Sequence, residues 1–127
     1  MAIVRRATEA HQRHDNETAL SLYDPEVEME LPFMGGGIQI YRGLDGVRAW
    51  YRDLLGAITE WTTTVEEWID GGNDVIAVLR TAGRGRKSGA PFQRREAHVW
   101  TLRDGKLWRL RVYGTREEAL KAVGLEE

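Results

Sequence analysis

The chain has 127 residues, 42% of them hydrophobic and 30% charged, with a formal net charge of −2 at pH 7. That length holds one domain rather than two, and such a domain buries roughly two-thirds of its unfolded surface without a covalent staple. The faint acidity excludes a general nucleic-acid binder, and the absence of cysteine excludes disulfides and thiolate metal sites and fits a reducing compartment.

In chain order, Met1 to Arg6 carry two arginines but no apolar run behind them. We therefore expect neither a signal peptide nor a membrane anchor, and place the protein in the cytoplasm with no membrane partner. Residues 3–22 read as two consecutive helices, with apolar Ile3, Val4, Ala7 and Ala10, then Ala19, Leu20 and Leu22, and a cap at Asp15 or Asn16 between them. Asp24-Pro25 closes the second helix, because the residue before a proline avoids helical backbone. Val27 to Leu31 alternates as a short strand ended by Pro32. Gly35-Gly-Gly37 lacks the lysine and spacing of a phosphate loop and reads as a flexible rim. A helix spans about 45 to 58, with Val47, Trp50, Tyr51, Leu54, Leu55 and Ile58 on one face.

From Trp61 the period changes to two. Residues 62–70, 75–82, 92–103 and 106–113 read as strands of an antiparallel meander, which makes the domain α+β. Asp104-Gly105 marks a two-residue hairpin turn that needs positive φ at both positions. Thr115-Arg-Glu-Glu118 is a capping box opening a last helix through Val123, stopped by Gly124. The loop 83–90 contains Arg84-Gly-Arg-Lys87, with Arg94 and Arg95 beyond it; this is either a phosphate-binding patch or a solvated loop between strands.

The hairpin turn also predicts a register. Counting back from Arg103 opposite Lys106 sets Leu102 against Leu107, Trp100 against Arg109, His98 against Arg111 and Glu96 against Tyr113. One face would then be plain and apolar, carrying Val99, Leu110 and Val112, with dimerisation as one use for it. The other would mix aromatic and titratable groups, with Arg80 added from the preceding strand. On that face His98 is either satisfied by a carboxylate such as Glu96, or simply exposed, or acts as a pocket donor or proton shuttle, with Arg111 beside it favouring the neutral ring. Trp100 would stack with Arg109, and Tyr113 would present a hydroxyl. His11 and His14, three apart on the first helix, lack a third ligand, so no metal is expected. Five tryptophans in so short a chain must share a core, a pocket or an interface.

The order of elements resembles the SnoaL-like polyketide cyclase family of the nuclear transport factor 2-like superfamily. The resemblance rests on Tyr23-Asp-Pro-Glu-Val27, Tyr41-Arg-Gly-Leu-Asp-Gly-Val47, Gly83-Arg-Gly-Arg with Ser88-Gly89, and Ala97-His-Val-Trp-Thr101. It continues through Asp104-Gly-Lys106, Tyr113, Ala119-Leu120 and Gly124-Leu125, and so covers nearly the whole chain as one domain. It implies a cone-shaped curved sheet wrapped around N-terminal helices, enclosing an apolar pocket, in a homodimer. It implies a small hydrophobic ligand and no cofactor, with chemistry ranging from isomerase, cyclase and hydrolase to non-catalytic binding. On it, His98, Tyr113 and Arg80 are the expected catalytic groups, and Glu28, Tyr41, Trp50, Trp100 and Arg111 the expected pocket residues. Glu28, Glu30 or Glu96 could supply a carboxylate base. Two departures stand out. The position where family cyclases carry an aspartate, two residues beyond Tyr113, is Thr115. An Asp-Arg-Asp relay of the epoxide-hydrolase kind would find alanine at position 82 and threonine at position 115.

Overall fold

A computed structural model describes residues 2–32 and 37–125. Helices α1 (Ala2–Gln12) and α2 (Asn16–Ser21) break at His14, whose φ of 61° turns the chain, and the Asp15 carboxylate caps α2 by accepting from the Thr18 amide at 3.2 Å. Strands β1 (Tyr23–Pro32) and β2 (Ile38–Arg42) come next, then α3 (Gly43–Ala57). The meander is β3 (Ile58–Gly71), β4 (Asp74–Gly85), β5 (Pro91–Arg103) and β6 (Lys106–Tyr113), and α4 (Arg116–Ala122) closes the described chain. Thr115 caps α4 by accepting from the Glu118 amide at 3.1 Å. Of the glycines expected to form a rim, Gly35 and Gly36 lie outside the described residues.

The six strands form one curved, open sheet in the order β2-β1-β6-β5-β4-β3. Neighbours are antiparallel except β1 and β6, which run parallel. Bulges in β3, with Glu60 at a φ of 56°, bend that long strand. Two cores flank the sheet. The concave side packs Val4, Ala7, Tyr23, Met29, Val47, Trp100, Leu107 and Leu110 between the helices and the strands. The convex side packs Ile76, Ala97 and Val99 under Ala119 and Leu120 of α4. No helix among the described residues is long and apolar enough to cross a membrane.

The hairpin turn forms as expected, with Asp104 at a φ of 51° and Gly105 at 74°, and Arg103 and Leu102 pair with Lys106 and Leu107. Beyond that the register departs from simple counting. A bulge leaves Trp108 unpaired, so Thr101 faces Arg109, Trp100 faces Leu110, Val99 faces Arg111 and His98 faces Val112. One extra residue inverts every later side chain of β6. Leu110 and Val112 turn inward, while Arg109, Arg111 and Tyr113 turn to the convex face. The physical reason is charge. Uninterrupted pairing would push two guanidinium groups into the apolar concave core, where an unpaired charge costs several kcal/mol.

The inversion also dissolves the expected apolar face, since Val99 lies under α4 while Leu110 and Val112 point inward. Likewise the Trp100–Arg109 stack is replaced. Arg109 pairs with Glu30 at 2.9 Å, and the bulged Trp108 lies under the Arg103 guanidinium, 4.7 Å from the ring centroid. β2 was not anticipated, because its pattern is reversed. Ile38 is 71% exposed, while Gln39 and Tyr41 point inward.

Candidate functional site

The concave face and the helices enclose a cavity of about 390 Å³. α1 contributes Thr8, His11 and Gln12, and α3 contributes Trp50, Asp53, Leu54 and Ala57. The sheet supplies Leu31, Tyr41, Trp61, Ala77, Leu79, Thr81, Phe92, Leu110 and Val112, together with Arg94, Glu96, His98 and Trp100 from alternate positions of β5. That alternation, with Ala77, Leu79 and Thr81 opposite His98, Glu96 and Arg94, places the polar groups of β5 in a row along an otherwise apolar wall.

The structure brings His98, Tyr41, Trp50 and Trp100 together around this cavity. It does not bring Arg80, Arg111, Tyr113 or Glu28 to it. Arg80 lies between the inward-facing Leu79 and Thr81, so its side chain takes the convex side. Arg111 and Tyr113 are moved there by the bulge; Arg111 Nη1 donates to the Tyr113 hydroxyl at 3.4 Å, and Arg111 Nε is buried without a partner among the described residues. Glu28 alternates with the buried Val27 and Met29 and is held by Arg42 at 3.3 Å on the outer face, as Glu30 is held by Arg109. Thr115, at the position where family cyclases carry an aspartate, is exposed and engaged as the α4 cap.

The central pair is Glu96 and His98. His98 Nε2 lies 3.3 Å from Glu96 Oε1, and Arg94 Nε lies 3.2 Å from the other carboxylate oxygen. Glu96 is 8% exposed. Burial pushes its carboxyl pKa upward, but the hydrogen bond and charge of His98 and the charge of Arg94 outweigh this, and the net result lies below the ordinary value. Glu96 is therefore an ionised carboxylate at neutral pH. It accepts the Nε2 proton of His98, and this leaves Nδ1 as the free basic nitrogen, which has no protein partner among the described residues.

Across the cavity the Tyr41 hydroxyl donates to Asp53 Oδ2 at 2.8 Å. Burial first, then the Asp53 hydrogen bond and charge, push its pKa up to about 12, so the phenol stays neutral.

At the α1 wall His11 is buried, with Nε2 2.8 Å from the Tyr23 hydroxyl, the Trp50 ring edge-on at 5.0 Å and the Tyr51 ring stacked at 5.6 Å. Burial lowers the His11 pKa to about 4 and raises that of Tyr23 well above normal. A neutral ring accepts the Tyr23 hydrogen at Nε2, which assigns the ring proton to the unpartnered Nδ1. The Tyr51 hydroxyl sits between the His11 carbonyl, at 3.2 Å, and His14 Nδ1. The histidine spacing on α1 was visible in the sequence, but its packing role was not. Glu96 was legible as a partner of His98 on one strand face and as one of three candidate base carboxylates, and it is the one of the three that lies at the cavity.

A curved open sheet closed by N-terminal helices over an apolar cavity with a carboxylate–imidazole pair defines an NTF2-like pocket protein. The chain belongs to the SnoaL-like domain family, whose family model matches residues 4–110. An NTF2-like protein from Burkholderia pseudomallei is 23% identical, with a TM-score of 0.80 over 97% of this chain and 95% of its own. A second NTF2-like protein, from Burkholderia thailandensis, is 28% identical at a TM-score of 0.77, over 98% and 94%. A Mycobacterium tuberculosis protein in complex with estradiol-17beta-hemisuccinate is 19% identical at a TM-score of 0.76, over 91% and 92%. No curated protein matches the chain at a significant level.

Proposed function

We propose that this protein is a cofactor-independent enzyme that moves protons on a hydrophobic carbonyl or polycyclic substrate, as an isomerase, cyclase or hydrolase. The observation that carries the reading is the Glu96–His98 pair set in an otherwise apolar cavity. His98 takes a proton from the carbon beside a substrate carbonyl through Nδ1. Glu96 acts as a positioning residue that fixes the ring and balances the imidazolium once it forms. The negative charge passes to the carbonyl oxygen, and His98, after exchanging its proton with solvent, reprotonates the same or another carbon. Arg94, whose guanidinium lies on the cavity wall beside Glu96, is the group suited to steady that oxyanion. Trp50, Trp61 and Trp100 supply flat apolar surface for rings. The polycyclic ligand of the similar M. tuberculosis protein supports an occupant of this kind.

The test uses a small bicyclic ketone, 2-tetralone, in deuterated water. The protein is expected to speed deuterium entry beside the carbonyl, with His98→Ala slowing that entry by about 100-fold or more and Glu96→Gln by about tenfold. Unchanged exchange in His98→Ala would overturn the assignment. On this reading the protein works in the cytoplasm as a homodimer, and a monomer in light scattering at micromolar concentration would remove the second statement.

One observation favours a second reading, a non-catalytic binder of an apolar ligand: Thr115 holds a helix cap at the position where family cyclases keep an aspartate. Prolonged incubation with a bound ligand followed by mass spectrometry separates the two, since a chemically altered ligand excludes the pure binder.

A further inference from the structure

We infer that the pocket's ligand is amphipathic, with an apolar body inside and an anionic arm held at the mouth by Arg52 and Lys87. This rests on the pocket reading above and adds the chemical class of the ligand. A second, open cavity of about 640 Å³ adjoins the first and shares Asp53 and Ala57 with it. Its remaining walls include Arg52 and Gly56 of α3 and Arg86, Lys87 and Ser88 of the β4–β5 turn. Three cations thus face one carboxylate.

The basic turn singled out in the sequence divides by role. Arg84 is spent on Glu60 at 3.0 Å and on the Gly89 carbonyl at 3.1 Å. Arg86 is structural: its Nε and Nη2 donate to the Leu55 carbonyl at 3.0 and 2.6 Å, and its amide donates to the Ala57 carbonyl at 2.9 Å, pinning the turn to the end of α3. Lys87 has no partner among the described residues. Arg52 has only a long contact of 3.6 Å to Asp53, whose other oxygen already accepts from Tyr41. Two cations are therefore left under-neutralised beside the Asp53–Ala57 wall that the two cavities share. Inside, the Arg94 charge is matched by the ionised Glu96, so the deep pocket offers no net positive charge to hold a permanently anionic group. An apolar ring system with a carboxylate, sulfate or phosphate on a short arm satisfies both regions at once.

The experiment is isothermal titration calorimetry with estradiol and estradiol-17β-hemisuccinate, which differ by a charged arm, on the wild type and an Arg52→Ala/Lys87→Ala double variant. Both substitutions are on exposed side chains outside the catalytic pair. The hemisuccinate is expected to bind about five- to tenfold tighter than estradiol, and the double variant or high salt to erase that advantage while estradiol stays within about twofold. Equal affinity for the two probes in the wild type, or hemisuccinate binding untouched by the double variant, would overturn the anionic-arm site alone. Failure of both probes to bind would overturn the pocket reading and this inference with it. Tight binding of free succinate would replace the tethered arm by a free-anion site and also overturn the inference.

Discussion

Leu110→Ala is expected to lower the unfolding free energy by about 3 kcal/mol, within the roughly 2–5 kcal/mol span of buried leucine truncations. Leu110 is 1% exposed, lies directly opposite Trp100 on β5 and beside Met29 on β1, and belongs to the concave core. Truncation leaves a void between elements that cannot collapse, because β1, β5 and the helices all meet there. The neighbouring Arg109→Ala is expected to cost no more than about 1 kcal/mol, since it removes a partly exposed pair with Glu30 whose side chains are 40% and 27% accessible. The contrast tests the Trp108 bulge as well as the core. Uninterrupted pairing would put Arg109 inside and Leu110 outside, and the two costs would exchange places. Denaturant unfolding of both variants at neutral pH decides it.

The second expectation concerns acid. His11 is held neutral in the fold, with its pKa lowered to about 4 by burial, against an unfolded value near 6.5. As pH falls, the unfolded chain therefore takes the proton first, and protonation favours unfolding. Above pH 6.5 stability is independent of this group. Between pH 6.5 and 4 it falls by up to one proton's worth, about 1.4 kcal/mol per pH unit, for a total of about 3 kcal/mol. The carboxylates with lowered pKa, Asp15, Asp24, Glu67 and Glu96, act lower on the scale, because their contribution is lost only as pH drops through and below the ordinary carboxylate range. The window from 6.5 to about 5 therefore lies above the carboxylate range, and the difference between wild type and a His11 variant across it reads His11. His11→Gln is expected to lose less stability than wild type between pH 6.5 and 5, because it removes the buried imidazole that must stay neutral in the fold. An unchanged slope in the variant would assign the proton elsewhere. Chemical denaturation at half-unit pH steps supplies the measurement.

The amino-acid sequence by itself determined what depends on neighbouring residues. Asp15 and Thr115 cap helices because a short polar side chain reaches an amide three residues on, and both do so here. Asp104 and Gly105 accept positive φ, and the hairpin turns there. The change of period at the start of the meander separated helices from strands, and the order of elements was enough to indicate the family. His98 and Trp100, which lie upstream of the register error, and Trp50, on a helix face, were also legible as cavity residues, while Tyr41 came only from the family resemblance. Only the tertiary structure decided the phase of β6. Strand alternation assigns faces only until a bulge intervenes, and one unpaired residue, Trp108, sent Arg111 and Tyr113 to the opposite face from His98. Whether a bulge forms depends on what the other elements place against each face, and here an apolar concave core refuses two guanidinium groups. The same dependence inverted β2, where Ile38 faces outward and Tyr41 inward, and brought His11 from a distant helix to the cavity wall. Local chemistry wrote the elements and their ends, while the burial of charge against apolar surface, summed over the whole fold, chose which residues share the pocket.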